Sequence, residues 1–277
     1  MKPSLTSAAI LSSLPQLPAF PQIVMHILKA LDDDNSSMTV LVNHLQRDPV
    51  IAGRILSAAN RSSQPGRRAL GGISAAVSYI GMRRVREIVL ATSLVDFSRK
   101  AQGSRFFWEH SLAVGICTQE LAREFSLNLD YALVAGLLHD IGKLWMSYLY
   151  PKEHQEVLDL IAQQLRPVCE IEREVFGMDH CRIGEVVAEH WGLPADIIEA
   201  IGQHHQPDHP ELGMLAAITH VAEAISNGLD LPCRDENQVV DLSDKAIRVI
   251  GLDWNSDVHD LLGRMDARFR YATTLLQ

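Results

Sequence analysis

The chain has few of the features that mark several large protein classes. Its 277 residues include only four cysteines, Cys117, Cys169, Cys181 and Cys233, with no C-x-x-C pair. That spacing argues against a zinc ribbon or a disulfide framework and suits a reducing cytoplasm. Long apolar runs are absent. Residues 132–138 form the most continuous stretch, interrupted by Gly136, far short of the ~20 residues that span a bilayer. Pro15, Pro18 and Pro21 break the N-terminal region before a secretory apolar segment can form. Neither export nor a membrane partner is expected. Basic charge is scarce too: 25 Lys and Arg against 34 Asp and Glu give a net charge of −9. An acidic chain is poorly suited to nucleic acid or an anionic membrane surface. There is no G-x-G-x-x-G or G-K-[ST] loop and no alternating strand pattern. Yet 47% of the residues are hydrophobic and 21% charged, which excludes disorder and collagen-like structure.

What remains is helical almost throughout. A proline-punctuated segment, 14–21, feeds a helix over 22–31 with Ile23, Ile27 and Leu31 on one face. Ser37 or Thr39 caps a second helix carrying Val40, Leu41 and Leu45. Asp48-Pro49 is a helix start, with Asp as N-cap and Pro in the first position. A loop over 62–72 leads to a short helix, 74–80, stopped by Gly81. The next helix, 83–95, aligns Val85, Ile88, Val89, Thr92 and Val95 and leaves Arg83, Arg84 and Arg86 largely off that stripe. A polar stretch at 99–105 marks a unit boundary. Beyond it, helices are predicted over 106–125, 131–150, 151–165, 181–191, 195–204, 212–227, 243–250 and 258–276.

Twelve histidines stand out, since imidazole is the commonest metal ligand. The focus is the run His139-Asp140-Ile141-Gly142-Lys143, which follows the apolar stretch 132–138. An imidazole and a carboxylate side by side can each bind a divalent ion, and Asp can bridge two. His110, His180 and the pair His204-His205 sit on separate amphipathic helices that can converge on one core. Glu223 lies mid-helix among apolar neighbours, so it is either partnered or exposed. His26, His44, His154, His190, His209, His220 and His259 read as surface or satisfied core residues. Trp108, Trp145 and Trp191 read as core packing. Arg67-Arg68 and the three arginines 83, 84 and 86 read as solvated helix faces rather than a DNA-binding patch.

The ordered set of His110, His139-Asp140, His180, His204-His205 and Glu223 resembles the HD metallohydrolase superfamily, near its HD-GYP branch. The first half narrows this. Leu17-Pro18-Ala19-Phe20-Pro21, Gln46-Arg47-Asp48-Pro49, Arg54-Ile55-Leu56-Ser57-Ala58-Ala59-Asn60, and Ile73-Ser74 followed by Ile80-Gly81-Met82-Arg83-Arg84-Val85-Arg86 resemble the HDOD family, the HD-related output domains of bacterial signal transduction. The likeness runs over about residues 14–230. It implies an all-α fold, a helical N-terminal unit (1–104) packed on an HD-type unit (105–230), with a helical extension (231–277). Many HDOD proteins have lost the metal ligands. Here the resemblance implies that His110, His139, Asp140, His180, His204, His205 and Glu223 are ligands, Glu223 standing where Asp is usual. The Gln206-Pro207-Asp208-His209-Pro210 segment lacks the Glu and Gly-Tyr-Pro elements of HD-GYP proteins, which argues against cyclic di-GMP hydrolysis. Phe106 occupies the third-metal Glu position of some relatives, so at most two ions are expected.

The expectation is a cytoplasmic signalling module that retains a dinuclear centre of Fe, Mn, Ni, Co or Zn and acts mainly through contacts with signalling proteins. The alternative is an active metal-dependent phosphohydrolase on a nucleotide, cyclic dinucleotide or other phosphoester. In that case Asp140 would bridge the ions that activate water, and Lys143 would hold a phosphate oxygen.

Overall fold

A computed structural model describes residues 5–29, 48–62, 70–101, 104–164, 166–232, 242–251 and 258–276. Among them every regular element is helical, as the sequence pattern predicts. The expected helix around Val40, the Arg67-Arg68 pair and Cys233 lie outside the described residues.

The first half comprises α1 (Ser7–Ser13), a 3₁₀ turn (Leu14–Gln16), α2 (Gln22–Lys29), α3 (Pro49–Arg61), α4 (Ile73–Ile80) and α5 (Met82–Lys100). Asp48 caps α3 as expected, accepting from the N–H groups of Val50 and Ile51 at 3.0 and 3.1 Å. Gly81 ends α4 at φ +79°, a conformation that costs glycine little. Helix α5 outruns its predicted length. Its stripe of Val85, Ile88, Val89, Thr92 and Val95 is buried, and so are Leu90, Leu94 and Phe97. It lies against α2, α3 and α4 as well as against two later helices.

The second half contains α6 (Arg105–Glu124), α7 (Leu129–Leu138), α8 (Ile141–Leu149), α9 (Pro151–Gln163), α10 (Val168–Phe176), α11 (His180–Trp191), α12 (Ala195–Gln203), α13 (Met214–Gly228), α14 (Asp244–Ile250) and α15 (Val258–Leu276). The single helix predicted over 131–150 is instead two, α7 and α8, parted at His139-Asp140. Asp140 stands at the N-cap of α8, but its side chain makes no cap bond. Helices α1 and α10 were not anticipated. Helices α6 and α7 approach closely because Gly115 and Gly136 face each other: a Cβ on Gly136 would lie 2.6 Å from the Gly115 Cα.

The halves are stitched together by the proline-rich segment. Phe20 is buried and stacks on Trp191 of α11 at 4.2 Å between ring centres, and both meet Phe97 of α5 edge-on. The Trp145 indole N–H donates to Ser13 Oγ at 3.1 Å. Arg86 is not a solvated face residue. It reaches Asp130 of α7 at 2.9 Å with both side chains largely buried. The tail helix α15 lies on α6 and α3. Its Arg268 pairs with Glu120, Glu87 and Gln119.

Candidate metal centre

Five structural pieces bring the sequence-predicted residues together. Helix α6 carries His110, the α7–α8 junction His139 and Asp140, the start of α11 His180, the turn after α12 His204 and His205, and α13 Glu223. All seven are buried except His205, which is nearly so.

Asp140 is the hub, and its two oxygens face different neighbours. Oδ2 lies 3.4 Å from His139 Nε2 and 3.7 Å from His110 Nε2. Oδ1 lies 3.4 Å from His180 Nε2 and 3.8 Å from His204 Nε2. Glu223 closes the ring, 4.0 Å from His110 Nε2 and 3.7 Å from His205 Nε2. The donor atoms of Asp140, His180, His204 and His205 lie within 4.8 Å of one another, as do those of His110, His139 and Glu223. Metal–ligand bonds of ~2.1 Å put neighbouring donors about 3–3.5 Å apart, so the spacing fits a divalent ion with small adjustments.

The hydrogen bonds on the far sides of the rings point the same way. His139 Nδ1–H donates to the Gly136 carbonyl at 2.8 Å and His204 Nδ1–H to that of Ile201 at 2.9 Å. His180 Nδ1–H donates to Glu172 Oε2 at 2.6 Å, and the same oxygen accepts the His180 backbone N–H at 2.9 Å. These bonds assign the tautomer and leave each Nε2 with an inward lone pair. The lone pairs of His180 and His204 meet at 3.2 Å, a repulsion that a cation between or beside them would relieve. His139 Nε2, His205 Nε2 and Glu223 Oε2 are buried with no hydrogen-bond partner. Each such orphan costs ~1–3 kcal/mol, a cost that coordination removes.

Electrostatics set the required protonation state. Burial lowers the pKa of His139 against the opposing pull of Asp140 and Glu223, and burial takes His180 and His205 well below the usual imidazole value. Burial pushes the carboxylates up, but neighbouring charges win. His139 and Lys143 hold Asp140 well below its ordinary range. His205 and His139 bring Glu223 to about 2. Neutral imidazoles among ionised carboxylates are what metal binding demands. Lys143 Nζ sits 3.0 Å from Asp140, and its pKa is raised by that carboxylate despite burial.

Sequence reasoning missed one contributor. Glu172 holds His180, and burial raises its carboxyl to about 7. It was hidden in a helix that was not recognised, and with Glu170 and Glu174 on either side nothing in the sequence singled it out. His220, read as a surface or satisfied core residue, is the latter: it is buried with both ring nitrogens bonded. Its Nδ1–H donates to the His204 carbonyl at 2.8 Å, and its Nε2 accepts the Ser243 N–H at 3.3 Å.

A helical bundle with a His-Asp hub fed by five further His and Glu side chains defines an HD-type module. The family model described as the HDOD domain matches residues 17–207, and the chain belongs to that family. The fold is similar to that of an HDOD domain protein of unknown function from Geobacter sulfurreducens, at 24% identity and a TM-score of 0.75 over 94% of this chain and 96% of that one. It is also similar to a candidate phosphohydrolase from Shewanella amazonensis, at 24% identity and a TM-score of 0.76 over 98% of each. Among curated proteins, one of uncharacterised role from Treponema pallidum is 22% identical over 73% of this chain. A ribonuclease Y from Thermus thermophilus is 31% identical over 118 residues, 43% of this chain. The matches span 40% and 16% of those two relatives. No helix among the described residues is long and apolar enough to cross a membrane.

Proposed function

We propose that the chain is a cytoplasmic signal-transduction module that holds two divalent transition-metal ions and acts mainly through regulatory contacts with other signalling proteins. The observation that carries the metal reading is the division of Asp140: one oxygen faces His110 and His139, the other His180 and His204. His110, His139, Asp140 and Glu223 would hold one ion, and Asp140, His180, His204 and His205 the other. Mixed imidazole and carboxylate donors suit Mn, Fe, Co, Ni or Zn better than Mg or Ca. Such ions, when bound, supply an acidified water and a Lewis acid.

A second reading, a metal-dependent phosphohydrolase, is favoured by Lys143. Its side chain is 23% exposed beside the otherwise buried hub, placing a cation where a phosphoester oxygen would approach from solvent. Partial similarity to proteins named ribonuclease Y adds support. In that reading Lys143 binds and orients the phosphate, and the closed His and Glu walls exclude bulk water.

Elemental analysis of protein purified without a metal-affinity tag, beside the His139→Ala/Asp140→Ala variant, tests both. Two transition-metal ions per chain, lost in the variant, are expected. Absence of metal after reconstitution with Mn, Fe or Zn overturns both readings. Hydrolysis of bis(p-nitrophenyl) phosphate by the loaded protein, abolished in the variant, selects the enzyme. Partner capture that survives the substitution selects the module.

A further inference from the structure

A second group of metal-type donors lies beside the Asp140 cluster, on the hairpin of α10 and α11. Cys169, His180 and Cys181 place Sγ, an imidazole nitrogen and Sγ all within 4.8 Å of one another. Both thiols are free, and Cys181 Sγ lies 3.5 Å from His180 Nε2. In a tetrahedral zinc site, S and N bonds of ~2.3 and ~2.0 Å separate those donors by about 3.5 Å.

The hairpin is built to hold this spacing. Gly177 ends α10 in the left-handed region at φ +82°, where a side chain would be strained. Asp179 caps α11 by accepting from the Arg182 N–H at 2.9 Å and pairs with Arg173 of α10. Glu172, one turn beyond Cys169, fixes the His180 ring. Cys181 is buried and Cys169 half-buried, so Cys169 is the more solvent-accessible of the two thiols.

We propose that Cys169, His180 and Cys181 form a separate site for a thiophilic divalent ion such as zinc or cadmium, and that filling it withdraws His180 from the Asp140 cluster. Exclusion follows from valence. The Nδ1–H of His180 is committed to Glu172, so Nε2 has one lone pair, and one lone pair serves one ion. Two thiolates form a softer donor set than the imidazole–carboxylate cluster, so the ions sort by softness. Each thiol gives its proton to solvent as its sulfur–metal bond forms. The binding claim stands on the hairpin alone, while the exclusion claim rests on the metal reading of the Asp140 cluster.

Cadmium titration of the full chain in a non-thiol reductant, followed by thiolate-to-cadmium ultraviolet absorption, tests the site. A band saturating at one equivalent is expected. It should vanish in Cys169→Ser and in Cys181→Ser and persist in His139→Ala/Asp140→Ala. In manganese-loaded protein, cadmium should release manganese from the wild type and not from Cys169→Ser. No band in folded wild type overturns the proposal. So does a band undiminished in both serine variants, since its sulfur would then come from Cys117 or Cys233. Equal manganese release from wild type and Cys169→Ser overturns the exclusion. Should the serine variants fail to fold, the ¹¹³Cd resonance of the wild type reports the sulfur count directly: two supports the site, none or one overturns it. A chain that binds no manganese yet keeps the cadmium band separates failure of the Asp140 reading from failure of this one.

Discussion

Replacing Gly142 by alanine should damage stability and metal binding together. Gly142 lies in the first turn of α8, two residues after Asp140, and its Cα faces the backbone of His180. An ideal Cβ there would lie 2.0 Å from the His180 carbonyl oxygen, 2.7 Å from its carbon and 2.9 Å from its Cα. These are backbone atoms, so no side-chain rotation relieves the clash. Helices α8 and α11 must separate by about 1.4 Å to restore an ordinary 3.4 Å contact. Overpacking of a well-filled core costs ~1–3 kcal/mol, and a backbone neighbour puts this case at the upper end. Alanine's better helix propensity returns at most ~1 kcal/mol. A net loss of about 2 kcal/mol should lower Tm by roughly 4–8 °C for a protein of this size. Because His180 moves with its backbone, manganese affinity should fall as well. The control is Gly53→Ala in the middle of α3, where a Cβ meets nothing within 4 Å; it should raise stability by up to ~1 kcal/mol. Calorimetry of the metal-free proteins and manganese titration read the two effects. A Gly142→Ala protein that unfolds at the wild-type temperature and binds manganese normally would refute the close-approach argument.

Two other perturbations separate positioning from packing. Glu172→Gln preserves volume but takes the charge from the acceptor of His180 Nδ1–H. Manganese affinity should drop ~10–100-fold with little change in Tm, and unchanged affinity would remove Glu172 from the site. Arg268→Met removes the arginine shared by buried Glu120 and half-buried Glu87, while Arg264 and Arg123 stay with Glu120 and Arg84 with Glu87, and should cost ~1–3 kcal/mol at pH 7. In the wild type burial pushes both carboxyls up, but Arg268, together with Arg84 at Glu87 and with Arg264 and Arg123 at Glu120, outweighs it and holds them below the ordinary 4.5. That stabilisation is complete above pH 4.5 and is lost as pH falls through the folded values. The deficit of the variant should therefore shrink in acid, and urea midpoints that differ equally at pH 7 and pH 4 would contradict it.

The all-helical fold and most helix positions were legible because apolar residues recur at helical spacing and the caps are local, as at Asp48 and Gly81. The residues gathered around Asp140 were legible as types: a His-Asp pair after an apolar run, then histidines on separate helices. What stayed hidden depends on tertiary partners. The chain breaks at His139-Asp140 although 131–150 reads as one apolar run, because the Asp140 side chain turns into the histidine cluster rather than along a helix face. Arg86 reads as a solvated charge until α7 brings Asp130 to it. Phe20 reads as part of a proline-rich linker, but the position of Trp191 makes it a clamp between the halves.

His180 is where these lines meet, and it makes the readouts separable. Its carbonyl sets the room at Gly142, its Nδ1–H is held by Glu172, and its Nε2 faces both Asp140 and Cys181. Gly142→Ala displaces the residue and must register in unfolding as well as metal binding. Glu172→Gln changes the ring's electronics and orientation and should register in metal affinity almost alone. Cys169→Ser leaves both intact and should change only which ion competes for Nε2. If all three variants gave one common pattern, His180 would be a packing residue that happens to be a histidine. Three distinct patterns would make it the residue through which the hairpin controls the Asp140 centre.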